Sequence, residues 1–110
     1  MSLVRGYQPS PRYQDPVLRM TFARLVTHYW ANAAWLPDGQ LIRDASRLAG
    51  IPAVLAHGRL DVSSPLDTAW ALANAWPGSR LTVVEDAGHN AGDPTIVDTV
   101  LAATNRFART

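Results

Sequence analysis

Cysteine is absent from this 110-residue chain, which excludes disulfide frameworks, thiol nucleophiles and thiolate metal sites and leaves packing alone to hold the fold. Lysine is absent too. All ten basic residues are arginines, set against nine acidic ones for a net charge of +1. They form no run or stripe, so binding to nucleic acid has no electrostatic footing. The lysine deficit beside abundant alanine matches a G+C-rich coding sequence and implies no mechanism. No apolar run approaches the roughly 20 residues that span a bilayer, and no charged segment followed by an apolar one opens the chain. A cytoplasmic protein with no membrane partner is the expectation. One further absence bears on chemistry. The serines are Ser2, Ser10, Ser46, Ser63, Ser64 and Ser79, and none lies in Gly-x-Ser-x-Gly, whose glycines permit the strained strand-to-helix turn that exposes a nucleophilic hydroxyl.

With 47% hydrophobic residues, the chain has the means for one ordinary domain or part of one. Three helix starts share one device, a capping side chain followed by proline at the first helical position: Asp15-Pro16, Ser64-Pro65 and Asp93-Pro94. After the first, Leu18, Phe22, Leu25 and Tyr29 repeat at helical spacing and predict a helix reaching about Trp35. A second helix is expected after Asp38, stopping before Gly50. Pro52 to Ala56 reads as a short strand buried on both faces of a parallel sheet. A helix from Pro65 to about Trp76, closed by Pro77-Gly78, leads to a second strand at Leu81 to Val84. The three make a βαβ unit. Ile96, Val100, Ala103 and Phe107 then mark a closing helix. The first dozen residues, with Pro9, Ser10 and Pro11, read as a loop. Met1, Ser2 and Leu3 look like residues added for expression and receive no structural weight.

Asp61 and His89 are the candidate catalytic residues. Each is expected to close a strand, at the carboxyl end of a parallel sheet, where functional groups of open α/β folds gather. Acid precedes histidine by 28 positions, room for one crossover helix and one strand. Asp61 would then fix the histidine tautomer, and the other ring nitrogen would take a proton from a hydroxyl nucleophile. The bland alternatives are a capping aspartate and an ordinary Gly-His-Asn turn, with the chain an unrelated α/β binding domain. His57 and Asp61, four apart, resemble a metal pair, but no further ligands converge and no metal or cofactor is expected. His28 has no acidic partner at helical spacing and reads as a packed or surface histidine. Trp30, Trp35, Trp70 and Trp76 read as core in preference to a substrate pocket.

Ile51-Pro52-Ala53-Val54, His57-Gly58-Arg59-Leu60-Asp61-Val62, Ala69-Trp70, Ala75-Trp76-Pro77 and Asp86-Ala87-Gly88-His89 together resemble the C-terminal part of proline iminopeptidases, prolyl aminopeptidases of the α/β-hydrolase superfamily. The likeness extends upstream through Phe22-Ala23-Arg24, His28-Tyr29 and Gln40-Leu41-Ile42-Arg43-Asp44. It implies that Asp61 is the triad acid and His89 the triad base. It also implies that the early helices belong to a cap over the active site, and that the complete enzyme releases N-terminal proline from peptides without a cofactor. The family pattern Arg-x-Glu-Asn-His-Tyr departs here to Val26 and Thr27, which removes a glutamate that helps hold the substrate's ammonium group. A cysteine usual after the acid is Ser64.

The combined expectation is an α/β chain, the C-terminal fragment of an α/β-hydrolase fold. Residues 1–14 form an N-terminal loop, 15–50 a helical cap-like segment, and 51–110 a βαβα part with parallel strands. Such a chain holds acid and base but no nucleophile, and is inactive alone. The alternative is a non-catalytic interaction module that self-associates through exposed core surface or pairs with a partner.

Overall fold

The computed structural model describes residues 3–6, 8 and 10–109. Met1, Ser2, Tyr7, Pro9 and Thr110 lie outside the described residues, and with them the reading of Met1 and Ser2 as added residues and of Pro9 as loop. The chain forms two compact units, one of residues 8–40 and one of residues 1–7 with 41–110.

In the unit of residues 8–40, a 3-10 turn at Pro11–Gln14 occupies part of the segment expected to be loop. Helix α1 follows at Pro16–Ala31. Its start is as expected: the Asp15 carboxylate accepts from the amides of Val17 and Leu18, and Pro16 has no amide to leave unpaired. Its end is not. The helix stops at Asn32, and Ala33, Ala34 and Trp35 all take positive φ, a left-handed turn that L residues adopt at a cost of about 1–2 kcal/mol each. The turn folds Trp35 back onto α1, with ring centroids 5.3 Å from His28 and 5.2 Å from Tyr29, the latter edge-on. Aromatic packing won over helical propagation. The apolar stripe exists, yet Leu18, Phe22, Leu25 and Tyr29 are all exposed, and no residue of α1 is buried.

The second unit contains the sheet. A short helix α2 at Gln40–Asp44 passes into a 3-10 turn at Ala45–Leu48, which resolves the single helix expected between Asp38 and Gly50 into two pieces. Strand β1 (Ala53–Gly58), helix α3 (Leu66–Ala75), strand β2 (Ser79–Val84) and helix α4 (Pro94–Phe107) then run in the expected βαβα order. The strands pair in parallel, from Ala53 opposite Ser79 to Gly58 opposite Val84. Between α3 and β2 the Ser79 amide bonds the Trp76 carbonyl at 3.1 Å, and Gly78 has φ +85°. Pro77-Gly78 is thus a type II turn, whose third position needs the freedom of glycine. The α4 cap is as expected, with Asp93 accepting from the Thr95 amide.

Three expectations are corrected, the last of them across both units. Ser64 does not cap α3, because the helix begins one residue later and its N-cap position, Pro65, has no side-chain hydrogen bond; the Ser64 amide is held elsewhere. Neither strand is fully buried; among the described residues the sheet has two strands, and each keeps an open edge. The tryptophans are not core as a group. Trp30 is 80% and Trp70 63% exposed, and Trp35 is exposed too, while Trp76 is half-buried and its indole N–H is shared between the Leu48 and Ile51 carbonyls. Among the described residues the buried hydrophobics are Ala45, Ala87 and Ile96. Leu3, given no weight from sequence, donates its amide to the Leu60 carbonyl at 3.1 Å. No helix of the described residues is long and apolar enough to cross a membrane.

Candidate active site

Asp61 and His89 each lie beyond the end of a strand, not at it. Pairing stops at Gly58 and Val84, and the reason is local. A Cβ built on Gly58 would fall 2.7 Å from the Ala87 carbonyl carbon and collide with the Gly88 oxygen, so the two departing backbones run closer together than any side chain allows. They are joined as they separate. The Arg59 amide reaches the Val84 carbonyl and the Leu60 amide the Ala87 carbonyl, both at 2.9 Å. Across the outside, the Arg59 guanidinium forms a forked ion pair with Glu85, one arm at 2.9 Å. Ala87, at 0% exposure, seals the junction. Each raises or lowers the other in the expected sense: the hydrogen bond and charge of Glu85 hold the Arg59 guanidinium above its ordinary value, and the hydrogen bond of Arg59 holds Glu85 below.

These constraints bring Asp61 and His89 together. His89 Nδ1 donates to Asp61 Oδ2 at 2.8 Å, and the Asp61 side chain is only 5% exposed. The carboxylate's other oxygen, Oδ1, accepts from the amides of Ser63 at 2.9 Å and Ser64 at 3.0 Å. Burial by itself would raise the Asp61 carboxyl, but the hydrogen bond from His89, the amides of Ser64 and Ser63 and the field of the imidazole outweigh it. The carboxyl is held below the usual aspartate value. Because Nδ1 donates, Nε2 is the ring atom left with an acceptor lone pair in the neutral imidazole. A cavity of about 100 Å³ lies beside the pair, lined by His57, Gly58, Asp61, Gly88, His89 and Asn90 among others. The arrangement is competent to accept a proton at Nε2 and to stabilise the resulting imidazolium through Asp61.

The sequence reading paired the two residues correctly and missed three of their supports. Gly58 was legible as a glycine inside a strand pattern, a known sign of close backbone approach. The Ser63 and Ser64 amides could have been found in Asp-Val-Ser-Ser, where an aspartate takes up the amides two and three residues on. His57 was weighed only as a metal ligand. Its Nε2 donates to the Ser64 carbonyl at 2.8 Å and stands 3.9 Å from Asp61 Oδ2. Among the described residues, no group of three or more histidines, cysteines and acids is arranged to hold a metal ion. His28 packs against Tyr29 and Trp35 as a ring among rings. With Asp61 and His89 in hydrogen-bond contact beside a cavity, the reading of both as unconnected turn residues does not fit.

Comparison with known proteins gives an independent line of information. The chain is 51% identical over 102 residues to a probable proline iminopeptidase of Streptomyces coelicolor, covering 89% of this chain. To the proline iminopeptidases of Xanthomonas citri and of Neisseria meningitidis it is 42% and 36% identical, over 87% and 88% of its length. The chain belongs to the proline iminopeptidase family. It spans 31% of the length of each of these relatives, as a C-terminal portion. No protein-family profile matches it.

Proposed function

We propose that this chain supplies the acid, Asp61, and the general base, His89, of a proline iminopeptidase-like serine hydrolase of the α/β-hydrolase fold. The Asp61–His89 hydrogen bond beside a cavity at the carboxyl end of a parallel sheet supports the reading, together with the family relationship. In the complete enzyme a serine hydroxyl on another segment gives its proton to His89 Nε2 and attacks the carbonyl of an N-terminal proline. His89 then returns the proton to the leaving amine, and water resolves the acyl-enzyme with no cofactor. By the family resemblance, residues 15–50 belong to a cap segment of the complete enzyme. Valine at position 26, where the family resemblance puts a glutamate, offers no charge to a substrate ammonium and weakens selection for a free N-terminal proline.

The chain alone lacks a nucleophile elbow, and loss of a nucleophilic serine costs about 10⁶ in turnover in serine hydrolases. The expected outcome is no release of nitroaniline from proline p-nitroanilide and no uptake of a fluorophosphonate label. Mixing with a polypeptide carrying the remaining portion of a relative is expected to restore both, and Asp61→Asn or His89→Ala is expected to abolish the restored turnover. Stoichiometric labelling of a serine in the isolated chain overturns this reading.

A second reading is a non-catalytic module that self-associates or pairs with another chain. Light scattering decides it: a monodisperse monomer at high concentration argues against self-association.

A further inference from the structure

We infer that His57 is a positioning residue for the Asp61–His89 pair, donating its Nε2–H to the Ser64 carbonyl and so setting the turn that presents Asp61 Oδ2 to His89. The inference rests on the reading of Asp61 and His89 as acid and base. A carbonyl only accepts, so the 2.8 Å contact between His57 Nε2 and the Ser64 oxygen requires the proton on Nε2. The His57 side chain is 17% exposed, and its residue pairs with Val83 of β2 one position before the strand ends. It is fixed by strand pairing, which ends at Gly58, before Ser63 and Ser64 are reached.

Ser64 is the link. Its carbonyl is taken by His57 and its amide by Asp61 Oδ1, so one residue joins the sheet to the carboxylate through two hydrogen bonds. With Oδ1 occupied by the amides of Ser63 and Ser64, the carboxylate plane is set and Oδ2 is left for His89. His57 Nε2 does not compete for that oxygen, because 3.9 Å is too long for a hydrogen bond. Pro65, which follows, has no amide with which to fasten the turn from the other side. Removing the His57 donor therefore frees the Ser64 peptide, loosens one of the two bonds on Oδ1 and lets the carboxylate rotate away from His89. Partners that orient a ligating or catalytic group through a second hydrogen bond act in this way at many sites.

The test reads ring protons directly, in the intact chain, by long-range proton–nitrogen correlation of the ¹⁵N-labelled protein. The wild type shows His57 as the Nε2–H tautomer and His89 as the Nδ1–H tautomer with a downfield-shifted Nδ1 proton. His57→Gln, whose amide nitrogen stands near the place of Nε2, keeps the His89 signature. His57→Phe, which keeps a ring but no donor, loses the downfield proton and mixes the His89 tautomers. Where His57→Phe fails to fold, His57→Asn, whose amide falls short of the Ser64 carbonyl, takes its place with the same expected loss. A His57 Nδ1–H tautomer in the wild type overturns the inference without any variant. So does a His89 signature unchanged in a folded Phe or Asn variant, or one lost equally in the Gln variant. Failure of the underlying reading looks different: the wild-type His89 itself then lacks the Nδ1–H tautomer.

Discussion

The unit of residues 8–40 and the turn region around Asp61 are opposite solutions to holding a chain in place. In the first, the hydrogen bonds recorded are local, spanning at most six residues, the apolar stripe of α1 faces outward, and a left-handed turn is tolerated for the sake of two ring contacts. In the second, bonds join residues more than twenty positions apart: Leu60 to Ala87, Arg59 to Glu85, and His89 to Asp61. The geometry that matters for chemistry is fixed several times over, and the helical unit is fixed barely once. Regions of the second kind open with free energies near the global value, and those of the first kind open readily.

The largest expected effect comes from the point where the two strands part. Gly58→Ala places a methyl against immovable backbone, and we expect a loss of about 3 kcal/mol in urea unfolding, at the upper end of overpacking costs, with the His89 Nδ1 proton signal lost. If Gly58→Ala is neutral, the turn region is looser than its bonds imply and the contrast with the helical unit fails.

Next comes Asp61→Ala, which strands the Ser63 and Ser64 amides and the His89 donor together, for a loss of about 2 kcal/mol. Asp61→Asn, which retains an acceptor for those amides, costs less. Equal losses in the two variants would mean that the amides contribute nothing.

Acid provides a third test. The folded Asp61 carboxyl titrates below the ordinary value of 3.8, so the unfolded chain binds the proton more readily than the folded one. The stabilising contribution is complete above that ordinary value and disappears as pH falls through the lower folded value. Urea midpoints measured downward from about pH 6 fall in the acid range for the wild type, and fall less steeply for Asp61→Asn. A wild type whose midpoint holds constant into strong acid contradicts the geometry.

The smallest effect has the opposite sign. Ala34→Gly relieves a positive φ of 50° and is expected to stabilise the helical unit by about 1 kcal/mol, read as slower amide exchange across α1. No change there would show that the left-handed turn is not strained.

Legibility in the sequence follows the same division. Local devices were read correctly where the partner was also local, as at Asp15 and Asp93, whose side chains cap the helices they precede. Ser64-Pro65 has the same form and failed, because the helix starts one residue later and puts Pro65, whose side chain has no acceptor, at the N-cap position. The Asp61–His89 contact was legible for a topological reason: parallel strands joined by one crossover helix bring their carboxyl ends side by side. What periodicity could not say is which face is covered. Leu18, Phe22, Leu25 and Tyr29 mark a stripe, and Trp30 and Trp70 are bulky and apolar, but spacing names no neighbour to bury them. The break of α1 at Asn32 escaped for a similar reason, since nothing in Ala-Asn-Ala-Ala-Trp announces three left-handed residues.

The forked arginine, the crowded glycine, the shared serine and both histidines all fall between His57 and His89. Every hydrogen bond described here that orients the acid toward the base is closed within that stretch. Such a stretch is self-referencing: it takes its bearings from its own sequence and asks of its surroundings only room and cover. For protein engineering this makes it a portable part, one that a different parallel sheet with an exposed edge could receive with acid and base already aligned.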